Sequence, residues 1–155
     1  MIKIYKKIII FIFPIIILSC GYSPMYKDLK NLTFNISIQE TLGNREINNI
    51  IKSRLKSYEL NKNATEKYNI SINSEYQKII DAKDTTGAAT NYKIVITSTF
   101  NISSENFNKV LIFSENFSMK SLGDRLEEQD YEKNIQNSLS NIIARKLILR
   151  LSQSK

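Results

Sequence analysis

The chain has 155 residues, with 22 Lys and Arg against 15 Asp and Glu, a formal net charge of +7. That length suits one ordinary domain and is short for two good cores, and a hydrophobic fraction of 42% argues against wholesale disorder. There is no histidine, and Cys20 is the only cysteine, so a disulfide within the chain and the usual His/Cys metal sites are excluded.

Lys3, Lys6 and Lys7 open the chain, and Ile8 to Leu18 form an apolar run with Pro14 inside it. A membrane-crossing helix needs about 20 apolar residues, so this run is short for a span. A positive start, a short apolar stretch and small or polar residues after it are the marks of a secretory signal peptide. Residues 1–19 are expected to be that signal, with cleavage between Ser19 and Cys20. Ile17-Leu18-Ser19-Cys20 is similar to a lipobox, the processing and acylation signal of bacterial lipoproteins. A nucleophilic or metal-binding thiol at Cys20 would need neighbours such as His, which the chain lacks. Lipid attachment at Cys20 needs only what is present; an ordinary signal peptide or an uncleaved anchor is the alternative. Several acyl chains on one cysteine would hold stably, since each buried CH₂ adds about 0.8 kcal/mol. Gly21 follows the cysteine, where an Asp commonly marks inner-membrane retention in Gram-negative lipoproteins, so the outer membrane is favoured. Without Lys3, Lys6 and Lys7 the 22 basic residues become 19, and the formal charge falls to +4. An excess that modest reads as a solvated surface or, more sharply, as contact with something anionic.

Residues 20–30 read as a lipidated tether containing Pro24, and 31–155 as the domain. Leu32, Phe34, Ile36 and Ile38 alternate with polar residues, the period of a half-buried strand. Gly43-Asn44 breaks the strand, and Asn44 can cap the helix whose stripe is Ile47, Ile50, Ile51, Leu55 and Tyr58. Alternation returns from Tyr68 to Tyr76 and can run to Ile80; 81–91 reads as a polar, turn-rich loop. A third strand starts at Tyr92, with Ile94, Ile96, Ser98, Phe100 and Ile102 on one face. After a hairpin loop over 103–108, Leu111, Phe113, Phe117 and Met119 mark a fourth. Asp124 to Glu127 has capping-box spacing, and Tyr131, Ile135, Leu139, Ile142, Ile143, Leu147 and Leu151 stripe a closing helix. The expected fold is therefore α+β, in the order β-α-β-β-β-α. It is a four-stranded, mostly antiparallel sheet with two helices packed on one face. The other face, rich in Asn, Ser and Thr, is left for water or a polar partner.

Enzyme chemistry finds little footing. Histidine is absent, no glycine loop matches a phosphate-binding pattern, and Glu127-Glu128 reads most simply as a solvated helix start. No enzyme activity and no cofactor beyond the covalent lipid are expected. Nucleic acid is a poor partner for an anchored, secreted chain whose aromatic residues sit at strand spacing.

Leu18-Ser19-Cys20-Gly21-Tyr22-Ser23-Pro24-Met25-Tyr26 resembles the start of the lipopolysaccharide-assembly lipoproteins of the LptE family, in their alphaproteobacterial form. Gly43 to Leu55 is similar to the family's first helix, Thr90 to Ile96 to its central strand, and Ser138 to Leu151 to its closing helix. Asn91 stands where that strand often carries arginine. The resemblance implies two helices on a four-stranded sheet and a place as a plug inside the outer-membrane β-barrel LptD. It also implies help with barrel assembly, and insertion of lipopolysaccharide into the outer leaflet of the cell outer membrane. A plug must show polar surface to a polar lumen, and a binder of lipid phosphates needs Lys or Arg beside apolar surface. Lys78, Lys83 and Lys93, around the loop between the second and third strands, are the candidate lipopolysaccharide contacts; the plainer reading is ordinary surface lysines. The alternative function is an envelope lipoprotein serving as a structural or binding module for an unrelated partner.

Overall fold

The computed structural model describes residues 34–59, 64–105 and 108–153. The signal segment 1–19, the lipid site Cys20, the tether 20–30 and the expected strand start at Leu32 lie outside the described residues. Strand β1 spans Phe34–Gly43, helix α1 Arg45–Leu55, β2 Glu66–Lys83, β3 Ala89–Ser103, β4 Asn108–Lys120 and helix α2 Arg125–Ser152. Among the described residues these make one four-stranded sheet in the order β1-β2-β3-β4, with the element order expected from the sequence.

The first pair, β1 with β2, is parallel, and the other two are antiparallel. Parallel neighbours need a crossover connection, and α1 supplies it. The turn from β1 into α1 is a single residue long, and Gly43 makes it possible. Its φ is +79°, and a Cβ there would sit 2.2 Å from the Ser74 carbonyl oxygen. The next amide, Asn44 N–H, donates to that same carbonyl at 2.6 Å. Asn44 then caps α1, its side-chain oxygen accepting from the Ile47 amide at 3.0 Å. The helix buries Ile47, Ile51 and Leu55, and a 3₁₀ turn over Lys56–Tyr58 ends it. Tyr58 thus leaves the helix itself, but its ring stacks on Phe34 at 6.2 Å.

Both helices cover the same sheet face: α1 lies against β1 and β2, α2 against β3 and β4, and the helices touch each other. Beneath them, Ile36, Tyr68, Ile70, Ile72, Ile94, Ile96, Phe100 and Ile102 are buried. Asp124 caps α2 by accepting from the Leu126 and Glu127 amides, half of the expected capping box. The helix then buries Ile135, Leu139, Ile143, Leu147 and Leu151. Tyr131, placed in the apolar stripe by spacing, is 36% exposed, because it lies toward the edge strand, against Phe117.

The loop expected over 81–91 is shorter in the structure. β2 continues to Lys83 through register shifts near Ala82, and β3 begins at Ala89. Between them the Asp84 carboxylate closes a tight turn, accepting from the Thr86 amide at 2.8 Å, the Thr86 hydroxyl at 2.6 Å and the Ala88 amide at 3.0 Å. These hydrogen bonds hold the exposed Asp84 carboxyl below its ordinary pKa.

Candidate functional site

Strand parity decides where the three candidate lysines point. In the β2–β3 register Lys78 faces Ile94 and Lys93 faces Ile79. Neighbouring positions point to opposite faces, so Lys78 lies on the helix side with buried Ile94, and Lys93 on the open side. Lys83 sits at the end of β2 opposite Ala89. Lys83 and Lys93 are exposed; Lys78 is drawn into a cluster with α2. The fold does not gather the three into one group.

Lys78 Nζ donates to Glu128 Oε1 at 3.0 Å and Glu132 Oε2 at 2.7 Å, and lies 4.3 Å from the centre of the Tyr92 ring. Both glutamates come from one face of α2, a turn apart. Tyr76, two residues before Lys78 on the same side of β2, donates its hydroxyl to Glu132 Oε1. The second oxygen of Glu128 accepts from the Ser121 hydroxyl at 3.1 Å and the Leu122 amide at 3.2 Å. The cluster thus ties β2, the β4–α2 turn and the first turns of α2 together.

The charges are mutually supported. Partial burial by itself lowers the Lys78 pKa, but hydrogen bonds to Glu132 and Glu128 outweigh it and the pKa is raised. The hydrogen bond from Lys78 holds the Glu128 carboxyl below its ordinary range, against desolvation. Desolvation, then the hydrogen bond to Glu132, pushes the Tyr76 hydroxyl up to about 12. Tyr76, Tyr92, Glu128 and Glu132 are partners that sequence reasoning did not assemble. The available signal was Tyr76 and Lys78 continuing the period-two face of β2 beyond Ile70, Ile72 and Ser74, with two glutamates at i, i+4 spacing on a helix.

The face away from the helices has a different chemistry. It presents Asn35 and Ser37 from β1, Asn69, Ser71 and Asn73 from β2, Thr97, Thr99 and Asn101 from β3, and Ser114, Asn116 and Ser118 from β4. These side chains are exposed or half-buried. They bond across strands: Gln39 donates to Asn69 at 3.2 Å, and the Thr97 and Ser114 hydroxyls meet at 2.9 Å. A shallow depression of about 300 Å³ opens at the end of this face among Gln39, Asn69, Ser71, Asn101 and Val110. It offers amide and hydroxyl groups, which recognise polar partners by hydrogen bonding. No described helix is long and apolar enough to cross a membrane.

No protein-family model matches the chain, and no curated protein matches it. Solved structures do. The chain is similar to rare lipoprotein B from Shewanella oneidensis, with a TM-score of 0.57 and 11% identity over 77% of this chain and 95% of that one. It is also similar to a minor lipoprotein from Acinetobacter baumannii, with a TM-score of 0.53 and 14% identity over 77% and 92%. A lipoprotein B from Nitrosomonas europaea gives a TM-score of 0.58 and 13% identity over 78% and 84%. At these identities what is shared is the fold, and the shared fold is one that bacterial lipoproteins adopt.

Proposed function

We propose that this chain is an outer-membrane lipoprotein, anchored by lipid on Cys20 at the periplasmic side. It plugs an LptD-type β-barrel, assists its assembly and helps insert lipopolysaccharide into the outer leaflet. The observation that carries the reading is the likeness to lipoprotein structures over more than three quarters of the chain. The open sheet face adds physical support: a broad Asn/Ser/Thr surface suits a polar barrel lumen. The role is one of binding and assembly and needs no catalysis and no cofactor.

Lys83 and Lys93 carry exposed ammonium groups for lipopolysaccharide phosphates. Lys78 would join them only by exchanging Glu128 and Glu132 for a phosphate. Affinity purification of the tagged chain from detergent-solubilised outer membranes tests the reading. It is expected to recover a β-barrel protein of several hundred residues. Recovery of a different envelope protein, with no barrel, would support the alternative of a binding module for an unrelated partner. Metabolic labelling with fatty acid tests the anchor, and is expected to be lost in Cys20→Ser.

A further inference from the structure

The two edges of the sheet are built differently. β1 is interrupted by a register shift between Ile38 and Glu40, a feature that bends an edge away from further pairing. β4 pairs with β3 from Asn108 to Lys120 with no shift. It contains no proline, and among the described residues no strand pairs with its outer side. Between its charged residues Lys109, Glu115 and Lys120 it exposes apolar side chains: Val110 is 58% exposed, Ile112 64% and Phe117 41%. A long edge without a register break, with exposed apolar residues, is a template for another strand.

The charges on β4 indicate which strand. Suppose that β4 pairs antiparallel with a second β4 about a two-fold axis normal to the sheet. Helix-side residues then meet helix-side residues only if the axis passes through a residue. The axis at Ile112 is the one that sets Lys109 of each copy opposite Glu115 of the other. Lys109 is exposed, and both residues lie on the helix side, opposite Ile102 and Ile96 of β3. Glu115 already accepts from Lys146 of α2 through Oε1, and a carboxylate has lone pairs for a second cation. The same axis puts Leu111 opposite Phe113 on the helix side. On the open side the two Ile112 side chains meet, with Val110 on the diagonal. Charge and apolar pairs in these positions each favour the association.

We propose that two copies of this chain associate through antiparallel β4–β4 pairing centred on Ile112, joining two four-stranded sheets edge to edge. The proposal goes beyond the barrel reading and does not rest on it. The test uses the full chain in detergent, in a Cys20→Ser background free of the native thiol. Paired residues at the axis would have Cα atoms about 4.5–5.5 Å apart, within reach of a disulfide. Ile112→Cys is therefore expected to form a covalent dimer on mild oxidation. Ser118→Cys, whose copies would lie roughly 40 Å apart along the strands, is expected to stay monomeric. Without cysteines, Lys109→Glu is expected to raise the dimer dissociation constant at least tenfold in sedimentation equilibrium, with an unchanged circular dichroism spectrum. The proposal is overturned if the chain is monomeric at all concentrations or if the two cysteine variants cross-link equally. It is overturned too if Lys109→Glu dimerises like the parent.

Discussion

The two faces of the sheet differ by one residue of register and by everything else. On β3, Ile94, Ile96, Phe100 and Ile102 are buried under the helices, while Thr97, Thr99 and Asn101 alternate with them on the open side. The covered face is held by burial of apolar area, worth roughly 25 cal/mol per Å². The open face is held only by the strands that flank it and by polar bonds such as Thr97 to Ser114. One face contributes the stability, and the other is left open and polar.

Removing a large side chain from the covered face is expected to give the largest effect. Phe100 is fully buried against Phe113, and Phe100→Ala should cost about 3–5 kcal/mol by cavity formation. Thr99→Ala, the adjacent residue on the other face, should stay within about 0.5 kcal/mol. Urea denaturation of both variants reads the contrast, and similar losses would break it.

Gly43 is expected to come next. Alanine there meets a left-handed φ and the Ser74 carbonyl together, so Gly43→Ala should lose about 2 kcal/mol or more. The loss would appear in thermal melts as a lower midpoint.

A smaller effect concerns the polar end of the covered face. Tyr76 keeps its proton to about pH 12 in the fold, whereas an unfolded tyrosine releases it near 10. Stability should therefore fall as pH rises from about 10 to 12, with Lys78, whose pKa is also raised, falling in the same direction. Glu128, with a lowered pKa, contributes above the ordinary carboxylate range and loses that contribution as pH falls through its folded value. Tyr76→Phe should flatten the alkaline limb while leaving the acid limb in place; melts recorded across pH measure both.

Much of this contrast was legible in the residues. Period two over Tyr68–Ser74 and Tyr92–Ile102 separated the two faces, and the helix stripes and the Asn44 and Asp124 caps were readable because they are local. What was not legible is non-local. Nothing in Phe34–Gly43 announces that it runs parallel to β2, and Gly43 read as a break because its carbonyl neighbour, Ser74, is distant in sequence. Lys78, Lys83 and Lys93 are close along the chain. Strand parity separates Lys78 from Lys93, and α2 supplies Glu128 and Glu132 from some fifty residues away. The loop over 81–91 looked long because its residues are small and polar; Asp84 shortens it with hydrogen bonds that composition does not reveal.

Under the proposed function the open face meets the barrel while the covered face keeps the fold. Ser71 lies on that open face, on β2 opposite Asn101, two strands from the β4 edge. The direct measurement is quantitative recovery of the barrel protein by tagged Ser71→Arg compared with the parent chain, at equal anchoring and equal melting temperature. Recovery reduced at least tenfold, with the melting temperature unchanged, is the expected result. Recovery equal to that of the parent chain would contradict it.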